Sequence, residues 1–135
     1  MKHELIRRAY ALADDPREDV PDEELAEVYA PDVVIDMSAR VFNPKAYRGY
    51  DGLREYRLDL RETWDEVVFD VDEVIEEGDR VLVMTRMRGR GRAGRVPIDE
   101  RGAGIWTFRD DRAVHHLFLG PISRDDALAA LRAQS

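Results

Sequence analysis

The spacing of apolar residues changes near the middle of the chain, from a helical period to alternation. Leu5, Ile6, Ala9 and Tyr10 recur at helical spacing, which predicts a first helix that ends near Asp14. In the second half, apolar and polar residues alternate along segments of strand length. These predicted strands span residues 67–76, 80–92, 96–109 and 112–119.

Shorter elements complete the prediction. They are a helix at 22–29, a strand at 33–37, an irregular segment at 38–50, a helix at 51–64 and a last short helix at 125–133. Asp22 and Asp51 begin the second and third helices and Ser123 precedes the last one, and all three have side chains that commonly cap helix N-termini. Pro31 is expected to end the second helix, because its ring and missing N–H block continuation.

The third helix has an apolar face. Leu53, Tyr56, Leu60 and Trp64 share one face, whereas Arg54, Arg57 and Arg61 are placed elsewhere. Helices of this kind bury their apolar face. We therefore expect Tyr56, Leu60 and Trp64 to pack on the concave side of a sheet.

Long strands from a short chain, preceded by helices, predict an α+β fold. In this prediction a strongly curved antiparallel sheet is wrapped by the N-terminal helices into a cone with an internal pocket, followed by a short C-terminal helix. Residues 1–135 are expected to form a single domain, because this length suits one hydrophobic core.

Composition narrows the classes of function. The 21 basic and 29 acidic residues give a net charge of −8, which argues against nucleic-acid binding and favours a cytoplasmic location. No apolar run approaches the roughly 18 residues of a membrane span, so no membrane partner is expected. Cysteine is absent, which excludes disulfides and thiolate chemistry. The three histidines have no metal-ligand spacing, and neither a metal nor a cofactor is expected.

Two segments link the chain to a known family. Residues 47–56 read Tyr-Arg-Gly-Tyr-Asp-Gly-Leu-Arg-Glu-Tyr, and residues 105–110 read Ile-Trp-Thr-Phe-Arg-Asp. With the order of the elements, they resemble the nuclear transport factor 2-like superfamily, and within it the SnoaL-like polyketide cyclases and ketosteroid isomerase-like proteins. The resemblance covers nearly the whole chain and implies the cone fold, but this fold hosts many unrelated activities.

The catalytic residues of ketosteroid isomerases match this sequence poorly. A gapless match places the family's general base at Met37, one residue after Asp36. Side chains alternate across a strand, so Asp36 faces the pocket only if a local bulge corrects the register. The family's second acid matches Gly104, and its tyrosine partner matches Tyr10 only loosely. Steroid-type isomerisation is therefore not expected.

The cyclase part of the resemblance points to the last strand. Its members carry a His and an Asp two residues apart, and the matching positions here are His116 and Phe118. Histidine is well suited to moving a proton near neutral pH. The alternative is that His115 and His116 lie on opposite faces of the strand without a chemical role.

The strand at 96–109 contains two glycines on the face that carries Trp106. Gly102 and Gly104 remove side-chain volume beside this aromatic residue, and glycines in strands permit close approach or bending. One interpretation is room for an apolar ligand, with Glu100 near the pocket's mouth. The other is that the glycines only let the sheet curl.

The preceding strand carries arginines on alternate positions. Arg86, Arg88, Arg90 and Arg92 share one face, which is typical either of an anion site or of a solvated outer face; the resemblance favours the outer face. Leu82 and Met84 continue that face, and we expect them in or near a homodimer interface.

Two functional hypotheses follow. In the first, the chain is a cofactor-independent acid–base enzyme of isomerase, cyclase or epoxide-hydrolase type acting on a small, largely apolar molecule. Its catalytic residues would be Asp36 and His116, with substrate contacts from Arg40, Tyr47, Tyr56, Glu100, Trp106 and Phe118. In the second, it is a noncatalytic ligand-binding or scaffold protein. Convergence of two ionisable groups in one pocket favours the enzyme, and an Asp36 carboxylate on the outer face favours the binding protein.

Overall fold

A computed structural model describes residues 2–17, 19–40 and 44–133. The helices are α1 (Lys2–Asp14), α2 (Asp22–Leu25), α3 (Gly49–Thr63) and α4 (Arg124–Ala133), and the strands are β1 (Tyr29–Asp36), β2 (Ala46–Arg48), β3 (Trp64–Glu77), β4 (Arg80–Gly91), β5 (Pro97–Arg109) and β6 (Arg112–Gly120). Among the described residues, no helix is both long and apolar enough to cross a membrane.

Six strands form one curved sheet in the order β2-β1-β6-β5-β4-β3. The α+β fold predicted from the sequence is confirmed, with one correction to the sheet. Strands β1 and β6 pair in parallel, while the other neighbours are antiparallel. The sheet is therefore mixed.

The largest local difference from the prediction lies at the second helix. It ends at Leu25, and the chain is extended from Tyr29 onward. Pro31 lies inside β1, where the pairing with β6 shifts register between Tyr29 and Val34. A proline is tolerated in such an irregular stretch, because no regular ladder hydrogen bond from its nitrogen is needed there.

The predicted helix caps have mixed outcomes. Ser123 caps α4, where the Asp126 N–H lies 3.1 Å from its hydroxyl oxygen. The N-cap positions of α2 and α3 are instead Pro21 and Arg48. The predicted irregular segment 38–50 contains β2 and the start of α3, and its residues 41–43 lie outside the described residues.

The sheet buries apolar residues on both faces. The inner face packs against α1, α2 and α3 through residues that include Ile6, Leu25, Leu53, Val83 and Trp106. On the outer face, α4 covers a second cluster that contains Leu82, Ala103, Ile105, Ala127 and Leu131. A strand residue in the first cluster therefore faces the interior of the cone, and one in the second cluster faces outward.

The outer cluster corrects the predicted dimer interface. Leu82 is fully buried beneath its own chain's α4, and Met84 is partly buried against the same cluster. The sequence pattern gave no sign that the last helix would cover this face. Homodimer formation stays a prediction, and Leu82 is not available to it.

The apolar face of α3 is turned inward, with one polar addition. Leu60 is buried and Tyr56 packs against the inner core, whereas Trp64 is half-buried and begins β3. Arg57, which the sequence placed away from this face, is 6 % exposed. Its guanidinium donates to the carbonyls of Leu12, Asp15 and Arg17 where α1 ends.

Candidate functional site

Aromatic rings form the wall of the cone's interior. Trp106 is 2 % exposed, and its ring centroid lies 5.9 Å from that of Tyr10, 6.3 Å from that of Tyr29 and 6.5 Å from that of Phe108. These contacts join α1, β1 and β5 across the inner face of the sheet. The interior is thus lined mainly by flat apolar surface.

His116 belongs to this wall. It pairs with Trp106 across β5 and β6, and the two rings stack with centroids 3.9 Å apart. Burial lowers the pKa of His116 to about 3, and nearby His115 adds to the effect. The imidazole is therefore neutral at physiological pH and carries no charge into the interior.

Gly104 makes room for His116. A Cβ at Gly104 would lie 2.7 Å from the His116 Nε2 atom, closer than ordinary contact allows. At Gly102 the nearest atoms would be 3.5 Å to 3.7 Å away, including Phe118. The volume removed at Gly104 is thus occupied by the histidine, and only Gly102 leaves ordinary space on this face.

Asp36 lies on the opposite face of the sheet from His116. Ile35 pairs with His116 and faces the interior, whereas Asp36 pairs with Leu117, which packs in the outer cluster. Its carboxylate accepts a hydrogen bond from the Ser38 N–H at 3.0 Å. Hydrogen bonds from Ser38 lower the pKa of Asp36. No bulge turns this side chain inward, so Asp36 cannot serve as the base of an interior site.

A polar cluster closes one side of the interior. The Tyr47 hydroxyl donates to Asp59 at 2.5 Å and accepts from Arg40 at 2.8 Å, while the Lys45 Nζ atom lies 2.9 Å from Asp59. Burial, and then the bond to Asp59, raise the pKa of Tyr47. The Tyr47 ring meets Tyr56 edge-on at 5.4 Å. Tyr47 therefore stays a neutral phenol that links the charged cluster to the aromatic wall.

Tyr56 lies where the wall and the cluster meet. It is half-buried, and burial raises its pKa to about 12. Arg40, Tyr47 and Asp14 all lie near enough to influence this pKa. Several ionisable groups therefore lie near the half-buried Tyr56. Asp36 and His116, the predicted pair, are not brought together in this way.

The remaining predicted site residues, Phe118 and Glu100, lie on β6 and β5. Phe118 is half-buried and packs against the inner core. Glu100 pairs with Met87 and is exposed, two positions beyond Gly102 on the Trp106 face. The inner cluster thus contains Tyr47 and Trp106, and Tyr56 and Phe118 pack against it. His116 stacks on Trp106, and Arg40 donates to Tyr47.

The sequence of this domain matches one family model. Residues 6–116 match the SnoaL-like domain, which is well over half of the chain. The chain belongs to the SnoaL-like domain family. No curated protein sequence matches it.

Solved structures resemble this SnoaL-like domain over nearly its full length. A ketosteroid isomerase-like protein from Catenulispora acidiphila DSM 44928, in complex with trimethylamine, has a TM-score of 0.74 at 14% identity, covering 98% of this chain and 96% of that one. A candidate SnoaL-like polyketide cyclase from Jannaschia sp. CCS1 has a TM-score of 0.71 at 18% identity, covering 97% and 89%. TerC, co-crystallised with polyporic acid, has a TM-score of 0.70 at 21% identity, covering 96% and 95%. At these identities the likeness establishes the fold.

Two depressions on the surface of this SnoaL-like domain lie away from the aromatic interior. One, of about 200 Å³, lies between α1 and α2 beside Arg8 and Glu27. The other, of about 340 Å³, lies on β3, β4 and β5 beside Val68 and Arg88. Within the described ranges, no group of three or more His, Asp or Glu side chains is placed to hold a metal ion.

Arg86 and Arg88 of β4 lie on the outer face of the SnoaL-like sheet and pair with acids. Arg86 contacts Asp99 at 2.5 Å, and Arg88 contacts Asp70 at 2.5 Å. These pairs neutralise Arg86 and Arg88, two of the four arginines in the row that the sequence offered as an anion site. They favour the alternative of a solvated outer face.

One ionisable residue of the SnoaL-like domain was missed in the sequence. Asp14 lies one helical turn after Tyr10, so both side chains share a face of α1. Although the residue is exposed, partial burial of its carboxyl raises the pKa of Asp14 to about 6, against a hydrogen bond from the Phe69 backbone. Its i, i+4 spacing from an interior tyrosine was the signal available in the sequence.

Proposed function

We propose that this SnoaL-like domain binds a small, flat, largely apolar molecule against the aromatic inner face of its sheet. The observation that carries the proposal is the ring wall itself, in which Tyr10, Tyr29, Phe108 and His116 all contact Trp106. Flat aromatic walls with a few convergent polar groups are the usual form of a small-molecule site.

The accessible part of the wall indicates where such a molecule would enter. Tyr10, Tyr56, Phe69 and Phe118 are half-buried, while Trp106 is almost fully buried. Entry would therefore proceed past the half-buried rings toward Trp106. The complex of TerC with polyporic acid supports a role of this kind by analogy of fold.

Binding is a better-supported role than catalysis by the pair predicted from the sequence. Asp36 and His116 lie on opposite faces of the sheet, so they cannot act on one molecule. His116 is neutral and packed between Trp106 and Gly104. Its position suits a wall of the site more than a proton carrier.

Indane, a flat bicyclic hydrocarbon, tests the binding proposal. We expect it to bind in the interior and to shift backbone amide resonances of inner-face residues in a ¹H–¹⁵N NMR titration. Tyr56→Ala should weaken binding about tenfold, because loss of an aromatic contact costs on the order of 1 kcal/mol beyond the area lost. Leu58→Ala is the matched control, because Leu58 lies on the same helix and is 55 % exposed. Equal affinities for the two variants, or no binding to the native chain, would overturn the proposal.

A second candidate function is acid–base catalysis with Asp14 as the proton acceptor. Asp14 lies near enough to Tyr56 to influence its pKa, and its own pKa of about 6 suits a general base at neutral pH. The chemistry would be removal of a proton from the carbon next to a carbonyl group, with the proton passing to the Asp14 carboxylate.

Deuterium exchange of 1-indanone in D₂O tests this second function. We expect the native chain to speed exchange of the protons next to the ketone, with a rate that rises through about pH 6 as Asp14 loses its proton. Asp14→Asn should remove the acceleration, whereas Asp36→Asn, on the outer face, should retain it. Exchange at the rate of buffer alone, or full activity of Asp14→Asn, rejects catalysis and leaves the binding proposal standing.

A further inference from the structure

One part of the accessible interior combines two aromatic rings with a carboxylate. The rings of Tyr10 and Phe69 lie with centroids 5.6 Å apart and planes tilted by 41°, and both residues are half-buried. Asp14 follows Tyr10 by one helical turn on α1, so the two side chains share a face of that helix. Its carboxylate accepts a hydrogen bond from the Phe69 N–H. A negative charge therefore lies beside both rings.

This carboxylate has no basic partner in the described part of the chain. Burial raises the pKa of Asp14 to about 6, the Phe69 N–H opposes this rise and Asp70 adds to it, and none of these groups is basic. By contrast, the neighbouring Asp15 contacts Arg17 at 2.8 Å. Asp14 is thus ionised at neutral pH but only partly solvated. An ionised group that has lost water without gaining a counter-ion favours a cation from outside the chain.

The basic residues near the interior already have partners of their own. Lys45 contacts Glu55 at 2.7 Å and Asp59 at 2.9 Å. Arg40 donates to Tyr47, whose hydroxyl in turn donates to Asp59. The two positive and two negative charges of this cluster balance one another, so the cluster supplies no counter-ion to the carboxylate at the end of α1.

The rings beside the carboxylate narrow the chemistry of the cation. The face of an aromatic ring is electron-rich and attracts a cation placed within about 6 Å of its centre. A small inorganic cation is strongly hydrated, and it would have to lose water to contact the rings. A protonated amine on an apolar ring system can instead pair with the carboxylate while its apolar part packs on the aromatic wall.

We infer that the flat molecule bound by this domain carries a protonated amine, which pairs with the Asp14 carboxylate beside the rings of Tyr10 and Phe69. The inference rests on the proposed binding function and adds the chemical class of the ligand. The ring system would extend from the amine toward Trp106. Such an amine would occupy the carboxylate that the second candidate function uses as its base, so that function would not operate on this ligand.

A comparison of 1-aminoindane with 1-indanol tests the inference, because the two probes share their ring system and differ in the charge of one substituent. The amine is protonated at neutral pH, whereas the alcohol is neutral. We expect the amine to bind about tenfold more tightly, because a partly buried ion pair and a cation–ring contact each contribute severalfold. The Phe69 amide proton bonds to the Asp14 carboxylate. It should shift further in ¹H–¹⁵N NMR with 1-aminoindane than with 1-indanol, because the amine competes for that carboxylate.

Asp14→Asn supplies the matched variant, since its amide oxygen can still accept the Phe69 N–H while the charge is lost. It should bind 1-aminoindane and 1-indanol with equal affinity. Asp36→Asn removes a carboxylate from the outer face and controls for the overall charge of the chain, so it should keep the preference for the amine. Phe69→Leu should reduce the preference partially, and it checks the result if Asp14→Asn fails to fold.

The two probes and indane together separate this inference from the binding proposal. The amine inference is wrong, while the binding proposal stands, if the native chain binds indane and shows no preference for 1-aminoindane over 1-indanol. The same conclusion follows if Asp14→Asn keeps the preference or if Asp36→Asn loses it. If none of the three compounds binds, the proposed function fails as well.

Discussion

Arg57→Met should destabilise the fold by about 3 kcal/mol, although it changes a charged residue to an apolar one of comparable length. The Arg57 guanidinium donates to the Leu12 carbonyl at 3.1 Å and to the Asp15 and Arg17 carbonyls at 3.0 Å each. Carbonyl groups at a helix C-terminus lack partners within the helix, and a cation there also favours the helix dipole. Methionine leaves all three acceptors without this donor. Urea unfolding at neutral pH measures the loss.

Arg54→Met is the control for this substitution, because Arg54 lies on the same helix but donates to only one backbone carbonyl, that of Val20 at 3.0 Å, and otherwise to carboxylates. Its partners Asp19 and Asp22 have side chains that are 69% and 65% exposed, and exposed ion pairs contribute about 1 kcal/mol or less. Arg54→Met should therefore cost clearly less than Arg57→Met. Equal losses for the two variants would show that the Arg57 bonds are replaced by water.

Arg57 also shows where sequence interpretation reached its limit. Spacing alone places Leu53, Arg57 and Leu60 on one face, since they are four and three residues apart. The basic side chain nevertheless argued for an outward position. Its burial depends on the end of α1, which lies more than forty residues earlier, and no local pattern reports such an encounter. The apolar positions of α3 were predictable from periodicity, whereas its polar contact was not.

Some features of the sheet were likewise predictable from the sequence, and others were not. The long strands of the second half were predictable from alternation, and so was the outward direction of Asp36 in the absence of a bulge. The parallel pairing of β1 with β6 was not, because periodicity gives the face of a residue and not its neighbouring strand. The covering of Leu82 by α4 is likewise a matter of tertiary packing. For the site, the aromatic residues were found in the sequence, and the spacing of Asp14 from Tyr10 was also readable there. The raised pKa of Asp14 and the contact between Gly104 and His116 required three-dimensional structure.

His116 should make the fold lose stability as the pH falls below about 6.5. The pKa of His116 is lowered to about 3 in the folded chain, from an ordinary value of 6.5. Between these two values the unfolded chain binds a proton that the folded chain excludes, so the stabilisation is complete above 6.5 and decreases as the pH falls toward 3. Near pH 4.5 the loss should be about 2 to 3 kcal/mol, since each pH unit is worth about 1.4 kcal/mol per proton.

The measurement is urea unfolding of the native chain and of His116→Phe across this pH range, because phenylalanine keeps a ring beside Trp106 and cannot titrate. Carboxyl groups with lowered pKa values also reduce stability in acid, but they do so in both proteins. Asp59 is one of them, because its bonds to Tyr47 and Lys45 lower its pKa against the effect of burial. The difference in unfolding free energy between the two should therefore shift in favour of His116→Phe by about 2 to 3 kcal/mol on acidification to about pH 4.5. His115→Gln, altered on the other face of β6, should keep most of the acid sensitivity of the native chain, because burial lowers the pKa of His116 more than His115 does. Parallel pH profiles for the native chain and His116→Phe would mean that the folded state accepts the proton, and His116 would then be open to solvent or to an acidic partner.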